Sequence, residues 1–232
     1  MDVTPEQQDT LFKDITADKI GIVRLDDWPA TETPAKVRDI MPSARSVIVL
    51  ASEVFPEVIK FFTSKRNAGD LYYSDLATRN MELVSGHLDW DAYTIVKRLH
   101  DLGYRGIPTP ANGAPFSDRD LRGVMPFGRL AEMAGLGKTG WHSMLLTPEY
   151  GPRVRLSALI TDAPLQPTDP DGPDDPCPTC GGACVKVCPA GAIPRPQPGE
   201  PVRIDRFKCS TTINASGGCS ECLKVCPAGR QR

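Results

Sequence analysis

All eight cysteines of this 232-residue chain lie beyond residue 176, in two runs that each end in Cys-Pro. The first reads Cys177-Pro-Thr-Cys180-Gly-Gly-Ala-Cys184-Val-Lys-Val-Cys188-Pro189. The second is Cys209, followed by Cys219-Ser-Glu-Cys222-Leu-Lys-Val-Cys226-Pro227. Gaps of two and three residues let successive sulfurs converge on one centre, and Gly181, Gly182 and Ala183 let the backbone wrap tightly around it. Two such runs, each closed by proline, are the layout of a protein that holds two [4Fe-4S] clusters, whose chemistry is one-electron transfer.

In two-cluster ferredoxins the last Cys of each run ligates the other cluster. Carried over, Cys177, Cys180, Cys184 and Cys226 hold cluster 1, while Cys188, Cys209, Cys219 and Cys222 hold cluster 2. The spacing departs from the bacterial pattern twice. Three residues instead of two separate Cys180 from Cys184, and the nine between Cys209 and Cys219 read as a longer loop. Two zinc sites or a set of disulfides are the competing uses of these thiols. Zinc gives no reason for Cys-Pro at both ends. Disulfides suit small secreted domains, and the start MDVTPEQQDT is acidic and polar, without the pattern of a signal peptide. Charge agrees with clusters: residues 177–232 carry eight Lys/Arg against three Asp/Glu, an excess that two anionic clusters would offset.

The elements that must carry these residues fall into two parts. Thirteen of the 23 prolines lie between Pro148 and Pro201, and LQPTDPDGPDDP at 165–176 holds four acids and no base. That stretch reads as a solvated linker and divides the chain into domains at 1–169 and 170–232. In the first, Thr4-Pro5-Glu6-Gln7 is a capping box opening a helix that runs to about residue 18. KIGIVRL (19–25), SVIVLAS (46–52) and RVRLSALIT (153–161) read as strands, and RGIPTP as a short one ahead of a turn at Ala111-Asn112-Gly113. A long helix spans 71–102, with a break at Ser85-Gly86 and a stop at Gly103; another covers 127–134 and ends at Gly135. Alternation of this kind predicts an α/β (α+β) core with helices covering its sheet, followed by a small ferredoxin-like domain.

Other chemistry is sparse. Gly135-Leu-Gly137-Lys-Thr-Gly140 looks like a phosphate loop, but it lacks the required first glycine and follows a helix where a strand should stand. The three histidines, His87, His100 and His142, form no triad or metalloprotease pattern. Tyr72 and Tyr73 could supply a phenol proton, although such a pair in a helix is more often packing. No apolar run is long enough to span a membrane and no basic stripe suggests nucleic acid, so the expected location is cytoplasmic.

The segment LAEMAGLGKTGWHSMLLTPEYGPRVRLSALITDAPL, residues 130–165, closely resembles the stretch ahead of the iron–sulfur motif in reductive dehalogenases and epoxyqueuosine reductases. They share an AGLG-x-x-G turn, an LLxTPExGPRVRL run and a TDxPL lead-in to two Cys runs. With LGYRGIPTPANGAP as a weaker match, the resemblance covers roughly residues 95–228. It implies a nitroreductase-like α/β core of the cobalamin-binding type, with the two clusters feeding electrons to the corrinoid. On that resemblance Asn112, Gly137, Gly140, Trp141, Ser143 and Met144 fall in the corrinoid region, small residues letting backbone approach a flat ring. A helix cap and a sharp turn explain the same glycines.

Two departures bear on activity. Asn112-Gly113-Ala114-Pro115 stands where epoxyqueuosine reductases carry an acidic residue, and an amide is no general acid near neutral pH. Trp141 stands where both families usually place Lys or Arg, so a cation that could stabilise a developing anion is missing. The chain also lacks the C-terminal helical repeats of many epoxyqueuosine reductases and the twin-arginine signal of many dehalogenases. The expected function is therefore an oxidoreductase of the electron-transfer kind, passing electrons through two [4Fe-4S] clusters to cobalamin bound here or in a partner corrinoid protein. An electron-donor protein, a ferredoxin or a flavoprotein, would supply it. The alternatives are a corrinoid-dependent reductase of an organic substrate, with Tyr73 or His142 as proton donor, and a ferredoxin-like carrier without corrinoid.

Overall fold

The most apolar run in the chain, SVIVLA, becomes the inner strand of a sheet buried on both faces. A computed structural model describes residues 3–28, 35–64, 71–111, 121, 123, 125–172, 174–197 and 203–229. Strands β1 (Lys19–Arg24), β2 (Ser46–Glu53), β3 (Gly106–Thr109) and β6 (Val154–Thr161) form one sheet in the order β1-β2-β6-β3. Every neighbouring pair is antiparallel. Alternate residues of β2 point to opposite faces. Val47 and Val49 join one core with Leu130, Ala131, Ala158 and Ile160. Ile48 and Leu50 join a second with Leu88, Ile95, Leu99 and Leu159. Each fully buried Leu or Ile contributes about 1.5–3 kcal/mol. Pro108, which has no N–H to donate, sits in edge strand β3, where a missing ladder bond is tolerated.

Helix α1 (Pro5–Phe12) and the 31-residue α4 (Leu71–Asp101) cover the second core. The shorter α2 (Ala35–Ile40) and α5 (Phe127–Met133), together with a hairpin of β4 (Lys138–Thr139) and β5 (Leu145–Leu146), cover the first. The capping box is present at Thr4 and Gln7, but α1 ends six residues sooner than expected. Asp14 turns into the left-handed region (φ 57°). Arg98 of α4 donates to the carbonyls of Leu11 and Lys13, and Asp91 accepts from Thr16 N and Ala17 N. A helix some eighty residues away in sequence therefore caps this one, a partnership no local pattern displays.

Helix α4 is not broken at Ser85-Gly86. Ser85 is buried and bonds back to Met81 O, while Gly86 faces open space. Its stop is as expected: Gly103 (φ +86°) allows Tyr104 N to reach back to Leu99 O. The stretch expected to be a solvated linker is exposed but pinned. Leu165 is fully buried, and Thr168 exchanges hydrogen bonds with Ile22 while donating its hydroxyl to Ala134 O.

Beyond it, the described residues among 174–229 form three helices, α6 (Ala183–Val187), α7 (Arg206–Ser216) and α8 (Glu221–Val225). Of these, α8 docks on α3 (Pro56–Phe61), where Leu223 packs against Val58, Ile59 and Ala77. The buried Ser220 hydroxyl lies 2.6 Å from Ile59 O and 2.7 Å from Phe62 O. Glu221 accepts from the Thr63 hydroxyl and Ser64 N. Burial raises the Glu221 carboxyl, but these donors and Lys224 outweigh it and hold the group below its usual range. Near the far end, Gly229 lies against the backbone of Gly151 so closely that neither could carry a Cβ. Among the described residues no helix is long and apolar enough to cross a membrane.

Candidate functional site

The two cysteine runs interleave. Cys188, Cys209, Cys219 and Cys222 line one small cavity, although Cys188 comes from the first run. The nine-residue gap expected to be a loop is mostly α7, which begins at the Asp205 N-cap (Lys208 N to Asp205 Oδ1, 3.0 Å) and ends at Gly217 in the left-handed region. That helix carries Cys209 on its first turn. Cys219 follows the Gly217-Gly218 turn, Cys222 rides on α8, and Cys188 is the C-cap of α6.

Cys177, Cys180, Cys184 and Cys226 form the other neighbourhood. Burial, followed by Cys180 and then Cys226, raises the Cys184 thiol, so these residues from both runs lie together. Burial pushes Cys177 up to about 12, with Asp175 and Cys180 adding to it and a hydrogen bond from the Trp141 backbone N–H opposing it. Burial likewise pushes Cys222 up to about 12, reinforced by Cys219, Cys209, Cys184 and Cys188; the two neighbourhoods adjoin. Sulfurs also accept from Ala192 N at Cys188 (3.3 Å) and from Val185 N at Cys184. None of the eight is in a disulfide. Among the described residues no three His, Cys, Asp or Glu side chains gather as a single metal ion would require. Four thiols around a cavity, with backbone N–H groups aimed at sulfur, fit the donor set of an iron–sulfur cluster.

Trp141 borders the first neighbourhood. Its ring lies under the Arg195 guanidinium (5.6 Å to the centroid) and against Gly182, where a Cβ would stand 3.0 Å from Cζ3. Arg195 in turn donates to Gly181 O. This residue, expected near a corrinoid, thus turns its side chain toward the Cys177–Cys184 loop. Gly137 and Gly140 were expected to make room for a ring, but their missing side chains would strike the hairpin itself: Leu146 O at Gly137, and Leu146 and His142 at Gly140. Close approach of β4 to β5 is what demands glycine there. Ser143 holds φ +62° at the hairpin tip, and Met144 beside it is exposed.

His142 is 4% exposed and lines the cavity of the second set. Burial lowers its pKa to about 4, offset in part by its own backbone carbonyl, so the ring is neutral at ordinary pH. Tyr73 is half exposed and stacks on Phe61 (5.6 Å, 17°), a packing role that leaves it out of the cysteine cavity. Asn112 lies outside the described residues. Sequence reasoning missed the Trp141 N–H, Arg195, and the Ser220-Glu221 anchor. The only visible signal for the anchor was two polar residues between Cys219 and Cys222.

No protein-family model matches the chain. Epoxyqueuosine reductase of Escherichia coli K12 is 28% identical over 225 residues, 88% of this chain and 54% of that protein. The chain resembles the epoxyqueuosine reductases. That of Vibrio cholerae is 29% identical over 88% of this chain and 56% of its own length, so the chain spans about half the length of these relatives. The expected fold is also found. A catabolic reductive dehalogenase superposes over 93% of this chain and 30% of its own, with TM-score 0.67 at 20% identity. An epoxyqueuosine reductase with an epoxyqueuosine-modified tRNA-Tyr stem loop superposes over 97% of this chain and 65% of its own, with TM-score 0.58 at 19% identity. That relative holds RNA, which runs against the expectation of no nucleic-acid partner.

Proposed function

We propose that this chain is an iron–sulfur redox protein that passes electrons through two [4Fe-4S] clusters to a corrinoid bound in this chain or in a partner. Cys177, Cys180, Cys184 and Cys226 would hold one cluster, and Cys188, Cys209, Cys219 and Cys222 the other, in a unit divided from the α/β core near residue 170. The observation that carries the reading is the interleaving of the two runs around a shared region, beside the Gly137–Met144 hairpin. When bound, the clusters supply single electrons and the corrinoid accepts them. The chain's own part is to hold and shield. Backbone N–H groups of Trp141, Val185 and Ala192 offset charge on the sulfurs, Trp141 and Arg195 exclude water, and α3 fixes α8 through Ser220. The corrinoid contact would lie at Ser143 and Met144 on the hairpin tip; a ferredoxin or flavoprotein would deliver the electrons.

The test is anaerobic purification, iron and sulfide analysis, then titration with cob(II)alamin followed by absorbance and EPR. Binding and reduction by the pre-reduced protein are expected; clusters without either would leave a plain electron carrier. A second reading, favoured by the identity to epoxyqueuosine reductases over 88% of the chain, is a corrinoid-dependent reductase of an organic substrate, modified tRNA included. Turnover of an epoxyqueuosine-bearing stem loop that requires added cobalamin would select it. His142 faces thiols and Tyr73 packs on Phe61, so neither is poised over an open substrate surface.

A further inference from the structure

Of the buried side-chain polar atoms that lack a hydrogen-bond partner among the described residues, one belongs to His142. His142 Nδ1 accepts a hydrogen bond from Met144 N at 3.2 Å, which leaves the proton of the neutral ring on Nε2. Nε2 is buried and has no hydrogen-bond partner among the described residues. A donor left unsatisfied in the interior is costly, so a ring held in this way needs a reason. The hairpin holds it firmly. Gly140 N donates to Met144 O (2.9 Å) and Ser143 N to Gly140 O (2.8 Å), closing a turn in which Ser143 takes φ +62°. Gly140 has no Cβ where one would press on His142 Cε1 at 3.0 Å. The ring thus lies against Gly140, and His142 lines the same cavity as Cys188, Cys209, Cys219 and Cys222.

We infer that His142 donates its Nε2–H to a sulfur of the cluster held by Cys188, Cys209, Cys219 and Cys222, and thereby raises that cluster's reduction potential above its value without the donor. The inference rests on the cluster reading proposed above. Its physics is simple: a neutral N–H dipole aimed at sulfur stabilises the more negative, reduced form more than the oxidised one. No proton or covalent bond changes hands. Cys177, in the other set, already receives a backbone N–H from Trp141, so adjacent residues of one turn would serve the two clusters, Trp141 by its backbone and His142 by its ring. The consequence is that the His142 ring tunes the Cys188, Cys209, Cys219 and Cys222 site and leaves the other to its backbone donors.

The experiment uses the full chain, purified anaerobically with its clusters, and EPR-monitored redox titration of the wild type, His142→Leu and His142→Gln. In His142→Leu one cluster should lose about tenfold in its reduced-to-oxidised ratio at fixed potential, about 59 mV for one electron, while the other cluster stays in place. His142→Gln keeps an N–H donor and should fall between. Unchanged midpoints, or equal shifts of both clusters, overturn the inference. A second measurement needs no variant: with ¹⁵N-histidine in the wild-type protein, pulsed EPR of the reduced cluster should show a weak nitrogen coupling, and its absence also overturns the assignment. A protein purified without iron and sulfide defeats the cluster reading and this inference with it; clusters indifferent to His142 defeat the inference alone.

Discussion

Gly181 and Gly182 share a left-handed backbone, φ +69° and +72°, yet differ in what a side chain would meet. At Gly181 there is nothing within 4 Å; at Gly182 a Cβ would stand 3.0 Å from Trp141 Cζ3 and 3.2 Å from Arg195 Nη2. Alanine at either position incurs the left-handed backbone cost, about 1–2 kcal/mol. Only Gly182→Ala adds overpacking, about 1–3 kcal/mol. Arg195 can swing aside, but the Trp141 ring is held between guanidinium and glycine and must shift away from the Cys177–Cys184 loop. For a chain of this size each kcal/mol moves the thermal midpoint about 2–4 °C. In an anaerobic circular-dichroism melt Gly181→Ala should therefore fall by about 2–8 °C, and Gly182→Ala by about 2–12 °C more. A cycle with Trp141→Ala isolates the cause: removing the ring should recover the extra loss, a coupling of about 1–3 kcal/mol. Equal losses at the two glycines, or an additive cycle, would refute the claim that Trp141 is packed onto the cluster loop.

Three further outcomes are expected. Cys188→Ala should abolish the cluster otherwise built from the second run, and Cys226→Ala the one built from the first, each lowering iron by about half; EPR showing losses that follow the run instead of the cavity reverses the partition. Ser220→Ala deprives the end of α3 of a buried donor and should cost about 1–3 kcal/mol, read as a lower melting midpoint; an unmoved midpoint removes Ser220 from the anchor. Gly86→Ala, mid-helix with open space around it, should stabilise by about 0.5–1 kcal/mol, and a loss in the same melt would reveal an unseen neighbour on that face.

What the sequence made legible was whatever depends on local pattern. Apolar runs marked β1, β2 and β6 to within a residue or so, the capping box opened α1, and Gly103 closed α4, because each is decided by chemistry within a few residues. What escaped depends on distant partners. Arg98 and Asp91 end α1 from another helix, the run SVIVLA says nothing of an antiparallel neighbour, and the bond from Thr168 to Ile22 is invisible in a proline-rich stretch. At the site, short gaps place thiols of one run near each other, but the joining of Cys188 to Cys209, Cys219 and Cys222 in one cavity depends on how distant segments pack. The orientations of Trp141 and His142 were not legible: adjacent residues in a turn point to opposite sides, and only the backbone of that turn decides which faces what.

Strand order also fixes the sequence of events by which this chain takes shape. The inner pair, β2 and β6, joins residues such as Val49 and Ala158, closing a loop of about one hundred residues, an entropic cost met before any contact rewards it. High contact order of this kind slows folding. Both cysteine runs follow β6, and their described residues supply three short helices and no strand. They rest on surfaces, the end of α3 and the turn at Gly151, that are positioned by that sheet. Maturation is thus expected to have a kinetic order: residues 1–176, without a single thiol, fold before the last quarter of the chain, with eight, can settle, and mutations in β6 should delay metal acquisition at sites they never touch.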